Sequence, residues 1–403
     1  MKRAPISVMF FSNSTVRGGA EEHMLTLLHG LDQSQFRLHL VCPPEVAAKL
    51  QADLPRDVEL IPLQLDKVKQ GRVAYRFSQI LRDRRVQILH AHQFYSSLFA
   101  SPIAALCQVP VVIETPHLSE RWRQGWFKSH FVVDRFVGRF VDCYIAVSEA
   151  NARYLVEEKG LPRKKVTVIR NGCDIERFDP DHRPPAGLKT SLGFQETDRV
   201  LVVAARLEPQ KGHAVLLRAL LKLFPEFPDV RVVCLGDGCL RGELESQAGV
   251  LGLGRNIRFL GHQSNVADWF AMADFTVLPS LWEGLPLTAI ESLAAGRAVV
   301  ATSVDGTPEV VVEGMTGLTV PPNHPERLAS AIRSLLLDPS LAKRMGQDGR
   351  EWVSKNFSQE RQVRETQEIY LRALEQRESR GVGKLCAVER EGAFPVMGGK
   401  TGQ

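Results

Sequence analysis

Short runs of apolar residues alternate through the first half of the chain with stretches in which apolar positions recur every three or four residues. Ile6–Phe11, Leu38–Cys42, Val58–Ile61, Ile88–His90, Val111–Glu114, Cys143–Val147 and Val166–Ile169 read as strands. Most are continuous and β-branched, the pattern of strands covered on both faces. Ala20–Leu31, Ala74–Arg82 and Glu149–Lys159 read as helices between them. A polar stretch from Asp179 through Pro184 and Pro185 to Gly187 has linker composition. The alternation then restarts. Val200–Ala204, Val230–Leu235, Ile257–Leu260, Phe275–Leu278 and Ala298–Ala301 read as strands, and His213–Leu223, Asn265–Met272, Pro286–Ala295 and Glu326–Leu337 as helices.

Strands alternating with helices imply parallel sheets of right-handed βαβ units. Two such series predict an α/β chain of two doubly wound, Rossmann-like domains facing a cleft, residues 1–183 and 190–356. A helical pattern follows over 357–376. Residues 379–403 are rich in glycine and charge without periodicity, and are expected to be disordered.

Composition changes this picture little. Hydrophobic residues make up 44% and charged residues 24%, the balance of an ordinary globular protein. The net charge of +5 is uneven: residues 1–190 carry 27 Lys and Arg against 20 Asp and Glu. That excess is either ordinary surface variation or a basic face turned toward an anionic partner. The seven cysteines show no CxxC spacing, as expected of free thiols in a reducing compartment. Lys2 and Arg3 precede a short apolar run that holds Pro5 and lacks a small-residue cleavage site, so it reads as a first strand and not a signal peptide. No stretch approaches the roughly 20 apolar residues of a membrane span. A cytoplasmic protein is expected.

Four segments carry candidate chemistry, each at the carboxyl end of an expected strand, where open α/β sheets bind ligands. The first is P-S-L-W-E-G-L-P-L-T-A-I-E-S-L-A-A, Pro279–Ala295. Pro286 suits the first position of a helix, where its missing N–H costs nothing. The free N–H groups of Leu287 and Thr288 suit an anion such as a diphosphate. Glu283 in the preceding loop can accept from sugar hydroxyls, and Glu291 in the helix can accept two bonds from a ribose diol. Glu291 lies among Ile290, Leu293 and Ala294, where an idle carboxylate would be expensive to bury.

The second is A-A-R-L-E-P-Q-K-G, Ala204–Gly212. Arg206 and Lys211 there can hold a diphosphate and stabilise it as it leaves, without a metal. The third is R-G-G-A-E, Arg17–Glu21, where Gly18 and Gly19 would let backbone approach a ligand; taken alone, a simple turn explains it equally well. The fourth is E-T-P-H, ending at His117, which would face the cleft; alone, a lone histidine reads as readily as a structural donor. His90 and His92 are too few for a metal site, and no Asp-x-Asp follows a strand, so no metal and no cofactor is expected.

With G-G-A-E, H-A-H-Q-F-Y-S-S, E-T-P-H, A-V-S-E, V-I-R-N-G-C-D, A-R-L-E-P-Q-K-G, L-G-D-G, F-L-G-H and the E-x7-E of Glu283 and Glu291 in this order, the sequence resembles glycosyltransferase family 4, the glycosyl transferases group 1, over about residues 5–375. The resemblance implies the GT-B fold, with the C-terminal helix crossing back to the first domain. That domain would bind acceptor and the second a nucleotide-sugar donor. It implies that Arg206 and Lys211 bind donor phosphates and that Glu291 holds the ribose. Glu283, with backbone groups of Gly284, Leu285 and Leu287 and beside Thr288, would hold the donor sugar. His117 would contact that sugar at the reacting centre, Gly18 and Gly19 would lie against phosphate, and Leu260 would flank the base. Ala205 departs from the family's usual glycine with little expected effect, since Ala is also small.

The implied function is a retaining, metal-independent hexosyltransferase-type enzyme. It would move a hexose or N-acetylhexosamine from a UDP- or GDP-sugar to a glycan or lipid-linked acceptor in cell-surface polysaccharide or lipopolysaccharide biosynthesis, by front-face substitution. Two alternatives are a catalytically idle sugar-nucleotide-binding module and a sugar-nucleotide epimerase on the same fold. Residues 118–140 interleave Trp122 and Trp126 with Arg123 and Lys128. That mixture suits an anionic membrane surface on the cytoplasmic face, or equally a core-facing helix with a basic outer side. No nucleic-acid module is recognisable.

Overall fold

In the computed structural model, residues 4–65, 70–120 and 131–391 are described. Thirteen strands among them form two wholly parallel sheets. The first holds β1 (Ile6–Ser12), β2 (Phe36–Cys42), β3 (Glu59–Pro62), β4 (Ile88–His92), β5 (Val111–Thr115), β6 (Cys143–Ala146) and β7 (Val166–Val168). The second holds β8 (Arg199–Ala204), β9 (Val230–Leu235), β10 (Ile257–Phe259), β11 (Phe275–Leu278), β12 (Val299–Thr302) and β13 (Gly317–Val320). The orders are β3-β2-β1-β4-β5-β6-β7 and β10-β9-β8-β11-β12-β13.

The helices of the first lobe are α1 (Gly19–Gly30), α2 (Pro44–Leu50), α3 (Gln70–Asp83), α4 (Phe94–Leu106), α5 (Val132–Val137) and α6 (Glu149–Arg153). Those of the second are α7 (Leu188–Ser191), α8 (His213–Leu223), α9 (Arg241–Val250), α10 (Val266–Met272), α11 (Leu287–Ala294), α12 (Thr307–Val310), α13 (Pro325–Leu337) and α14 (Pro339–Asn356). The last helix is α15 (Gln359–Glu391).

Each order reverses direction beside its first strand, between β1 and β4 and between β8 and β11. Such a switch point opens a crevice at the carboxyl ends of the strands. The register puts Ser12 beside His92 and His92 beside Thr115, so the turns after β1, β4 and β5 emerge together. Continuous apolar strands are needed because each sheet is covered on both faces. In the second lobe Val203 and Val232 pack among α8 and α13, while Val202 and Val233 pack among α10 and α11.

The expected helix Glu149–Lys159 is α6 followed by a π-helical turn at Tyr154–Glu158. Past it, Lys159 is buried, with Nζ 2.7 Å from Glu120 and 2.8 Å from Asp134. Two long helices go unread in the sequence. Nearly uniform hydrophobicity and Pro102 in its interior hide α4, and α14, which starts at Pro339, follows the expected helix α13 after Asp338 alone.

After α14 the chain bridges at Ser358 to Cys173 and α15 lies on the first lobe. Val363, Tyr370 and Leu374 enter the same core as Val8, Leu28 and Leu38. The crossing is close: a Cβ on Gly30 would meet Cγ2 of Val363 at 2.4 Å. The helix expected to end near Gln376 continues to Glu391, so residues 379–391, expected to be disordered, are helical, and the remainder of that expected tail, 392–403, lies outside the described residues. No proline interrupts that stretch, and Lys384, Leu385, Ala387 and Glu389 are good helix formers. Among the described residues no helix is long and apolar enough to cross a membrane.

Candidate active site

The turn after β8 and the loop after β11 meet at one ion pair. Lys211 Nζ donates to Glu283 Oε1 at 2.5 Å, and Ser280 Oγ donates to the same oxygen at 2.7 Å. The backbone around the pair is tied as well. Gln210 Nε2 donates to the Trp282 carbonyl at 2.9 Å, the Leu281 N–H donates to the Gln210 carbonyl, and the Glu283 N–H donates to Asp305 Oδ2 at 2.8 Å. Gly212 turns the chain out of this knot at φ +65°, with its Cα facing the Pro279 carbonyl so closely that a Cβ would lie 2.0 Å from it.

Pro286 immediately precedes α11 as its N-cap; the sequence placed it at the first helical position. The consequence is the same, because the N–H groups of Leu287 and Thr288 precede the first intrahelical acceptor and point out of the helix. Gly19 faces this end from the opposite lobe, its ideal Cβ position 3.7 Å from Leu287 Cδ1. Gly18 faces Arg206, with its Cβ position 3.8 Å from Nε. Glu21 holds the glycine turn: Oε2 accepts from the Gly18 N–H at 2.9 Å, and burial pushes its carboxyl above the usual range. Arg206 is partly buried and donates to Gln210 Oε1 at 3.4 Å. Two cations, two helix N-termini and a paired glycine turn thus face one space, a setting for an anion of high charge density.

Glu291 lies one turn into α11 from Leu287, partly buried. It forms no side-chain hydrogen bond or ion pair among the described residues, and burial pushes its carboxyl up to about 7. An acceptor with no protein donor is what a diol ligand requires. Leu260 follows β10, its carbonyl accepting from Gln263 Nε2.

The lobes touch at Gly284. A Cβ there would lie 1.8 Å from the His117 carbonyl oxygen, so only glycine fits. The Gly284 carbonyl accepts from Ser148 Oγ and from the Gly306 N–H. Glu309 spans the lobes too: its carboxylate accepts from the Glu149 and Ala150 N–H groups at the start of α6 and from Arg170. Glu309 and Asp305 escape the sequence reading, because nothing local distinguishes them from other polar loop residues; Ser148 stands in the A-V-S-E segment, in which nothing marks it for a role of its own.

His117 is buried, with Nε2 3.0 Å from Nδ1 of His92. The His23 ring lies edge-on to it, 4.8 Å between centroids. Burial holds all three well below the usual imidazole range, His23 at about 4. His90 stands behind them, bonded to Thr115 and to Tyr370 of α15. The sequence dismissed His90 and His92 as a pair too small for a metal. The fold adds His23 and His117, and His23, His92 and His117 can each turn one nitrogen to within 4.8 Å of the others. Trp122, Arg123, Trp126 and Lys128 lie outside the described residues.

Residues 188–352 match the family described as Glycosyl transferases group 1, and residues 17–177 match Glycosyltransferase Family 4. Glycogen synthase of Mycobacterium tuberculosis is 31% identical over 315 residues, 75% of this chain and 73% of that protein. The lipopolysaccharide core biosynthesis mannosyltransferase LpsB of Rhizobium meliloti is 29% identical over 294 residues, 71% of this chain and 80% of that protein. The structure of Anabaena HepE in complex with UDP and glucose has the same fold, with a TM-score of 0.79 at 20% identity, covering 90% of this chain and 99% of that one.

Proposed function

This chain belongs to the glycosyl transferases group 1, and from that premise we propose that it is a retaining, metal-independent enzyme moving a hexose or N-acetylhexosamine from a nucleoside diphosphate sugar. The observation that carries the reading is the knot of Lys211, Glu283 and Ser280 beside the free N-terminus of α11, facing Arg206 and the Gly18–Gly19 turn. In this reading the pyrophosphate takes the Lys211 ammonium, the Arg206 guanidinium and the backbone N–H groups of Leu287 and Thr288. Glu283 then accepts from sugar hydroxyls and Glu291 from the ribose diol. His117 lies against the sugar near its anomeric carbon.

The reaction follows from the charges. The acceptor hydroxyl oxygen attacks the anomeric carbon from the face on which the bond to phosphate breaks. The leaving oxygen gains negative charge as its bond lengthens, and fixed cations stabilise it most at that moment. The hydroxyl proton passes to the departing phosphate oxygen. Configuration is retained because attack and departure share one face.

HepE holds UDP and glucose, so UDP-glucose is the first donor to test; LpsB, a mannosyltransferase of lipopolysaccharide core biosynthesis, points to a GDP-sugar and a glycan or lipid-linked acceptor. A cell-surface polysaccharide role, on the cytoplasmic side of the membrane, fits that pairing. A panel of UDP- and GDP-sugars screened by thermal shift should give one donor that raises the melting temperature. Proton NMR of the product should show the donor's anomeric configuration, with EDTA present throughout. An inverted product, or turnover abolished by EDTA and restored by Mg2+, would overturn the mechanism.

A further inference from the structure

We propose that His23, His92 and His117 form a binding site for a transition-metal dication of the Zn2+ class, and that its occupancy opposes turnover. The three come from α1, the end of β4 and the loop after β5, and meet under the cleft because the switch point of the first sheet brings those elements together. Each can present one ring nitrogen within 4.8 Å of the other two. Tetrahedral coordination with Zn–N bonds of about 2.0 Å asks for nitrogens about 3.3 Å apart. His92 Nδ1 and His117 Nε2 already stand at 3.0 Å as a hydrogen-bonded pair, so a metal would take the place of the proton they share, that proton moving to the other nitrogen of its ring, with the rings turning toward the ion.

Two observations separate this group from ordinary buried histidines. Nε2 of His23 and Nε2 of His92 are buried and have no hydrogen-bond partner. Leaving such atoms unsatisfied costs about 1–3 kcal/mol each, and a metal ion beside the His92–His117 pair is one way to satisfy Nε2 of His23. His23 is also held as metal-bound histidines are: its Nδ1 lies 2.8 Å from Asn171 Oδ1. Gln362 Nε2 approaches the same nitrogen at 3.0 Å, and in the tautomer in which Nδ1–H donates to Asn171 it is Nε2 that carries the lone pair that would face the metal. An all-imidazole set without a carboxylate selects Zn2+, Ni2+ or Cu2+ over Mg2+ or Ca2+.

The inhibitory half rests on the role of His117 given above. A metal that takes a His117 nitrogen removes it from the donor sugar and pins the loop that abuts Gly284. An inhibitory ion is compatible with a reaction that needs none.

The test uses the full chain, stripped of metal by chelation. Titration with Zn2+ against a chromophoric chelator should show one tight equivalent per chain. Co2+ in its place should give the visible d–d bands of a tetrahedral nitrogen site, a readout that needs no nucleotide sugar. The double substitution His23→Asn with His92→Asn should abolish both signals, and Asn171→Ala should weaken Zn2+ binding by roughly tenfold through the second shell. Absence of the tight equivalent and of the d–d bands in the unsubstituted chain overturns the site, whether or not any variant folds. If Zn2+ binds at that site but donor turnover is unchanged at saturating Zn2+, the inhibitory half is wrong and the site stands. If donor binding and turnover are absent altogether, the glycosyltransferase reading fails while the spectroscopic test still decides the metal site.

Discussion

Lys211 Nζ and Glu283 Oε1 are 2.5 Å apart, although 72 residues separate them in the chain. The pair joins the segment that carries both candidate phosphate-binding cations to the loop that would hold the sugar. Each side chain fixes the other: in the proposed reading the ammonium stands where a donor phosphate would approach and the carboxylate where sugar hydroxyls would.

Lys211→Ala should therefore cost more than one contact. Loss of a fixed cation at a developing negative charge is expected to lower kcat by about 10²–10³. Lys211→Arg should recover only part of this, because a planar guanidinium does not occupy the place of a compact ammonium. Steady-state kinetics with a saturating donor checks it. A kcat within threefold of the unsubstituted enzyme would remove Lys211 from the chemistry.

Gly284→Ala tests the meeting of the lobes. The added methyl carbon would overlap the His117 carbonyl at 1.8 Å, so one lobe must shift. Each lobe keeps its own core, so we expect a folded protein with a nearly normal circular dichroism spectrum and turnover lowered by about 10² or more. Normal kinetics in a folded Gly284→Ala protein would show that this closed approach is not the working arrangement.

The carboxyl of Glu291, pushed up to about 7 by burial, gives a pH dependence with a defined sign. Its ionised form accepts from a diol, so donor affinity should fall as pH drops below about 7. Stability runs the other way. A carboxyl with a raised folded pKa binds more protons folded than unfolded between its ordinary value near 4.5 and about 7, so its contribution to stability declines as pH rises through that window. Glu291→Gln should weaken donor binding, flatten its pH profile near 7, and leave the melting temperature at pH 8 unchanged or higher. Isothermal titration calorimetry and melting curves at pH 5 and pH 8 measure both. A flat affinity profile in the unsubstituted protein contradicts the assignment.

Tyr370 anchors α15 to the first lobe, fully buried, its hydroxyl 2.6 Å from His90 Nδ1. Tyr370→Ala should destabilise by about 3–5 kcal/mol, as other deletions of a buried aromatic ring do. Tyr370→Phe should cost about 1–3 kcal/mol, through the buried His90 nitrogen left unpaired. Urea unfolding reads these differences. Equal stability of all three proteins would mean that α15 does not contribute to the folded core.

Much of the fold was legible because its elements have local causes. Continuous β-branched runs such as Val200–Ala204 declared strands covered on both faces, and the polar stretch at 179–187 declared a break between two series. The failures also have local causes. Pro102 concealed α4, and glycines 381 and 383 made the end of α15 look unstructured. Of the site, Arg206, Lys211, Glu283 and Glu291 could be named because they follow strands in segments with distinctive neighbours. Ser148, Asp305 and Glu309 could not, because their roles exist only once two lobes face each other.

The one-dimensional pattern was enough to decide that there are two parallel sheets, that candidate ligand-binding turns follow their strands, and which charged residues sit in those turns. All of that depends on residues close in sequence, whose spacing is visible without coordinates. Strand order and the return of α15 decided everything that depends on distant partners: His23 beside His92 and His117, Gln362 beside His23, and the glycine at 284 against the His117 backbone. Such contacts are set by how sheets are wound and stacked, and no periodicity along the chain records which distant turns that winding brings together.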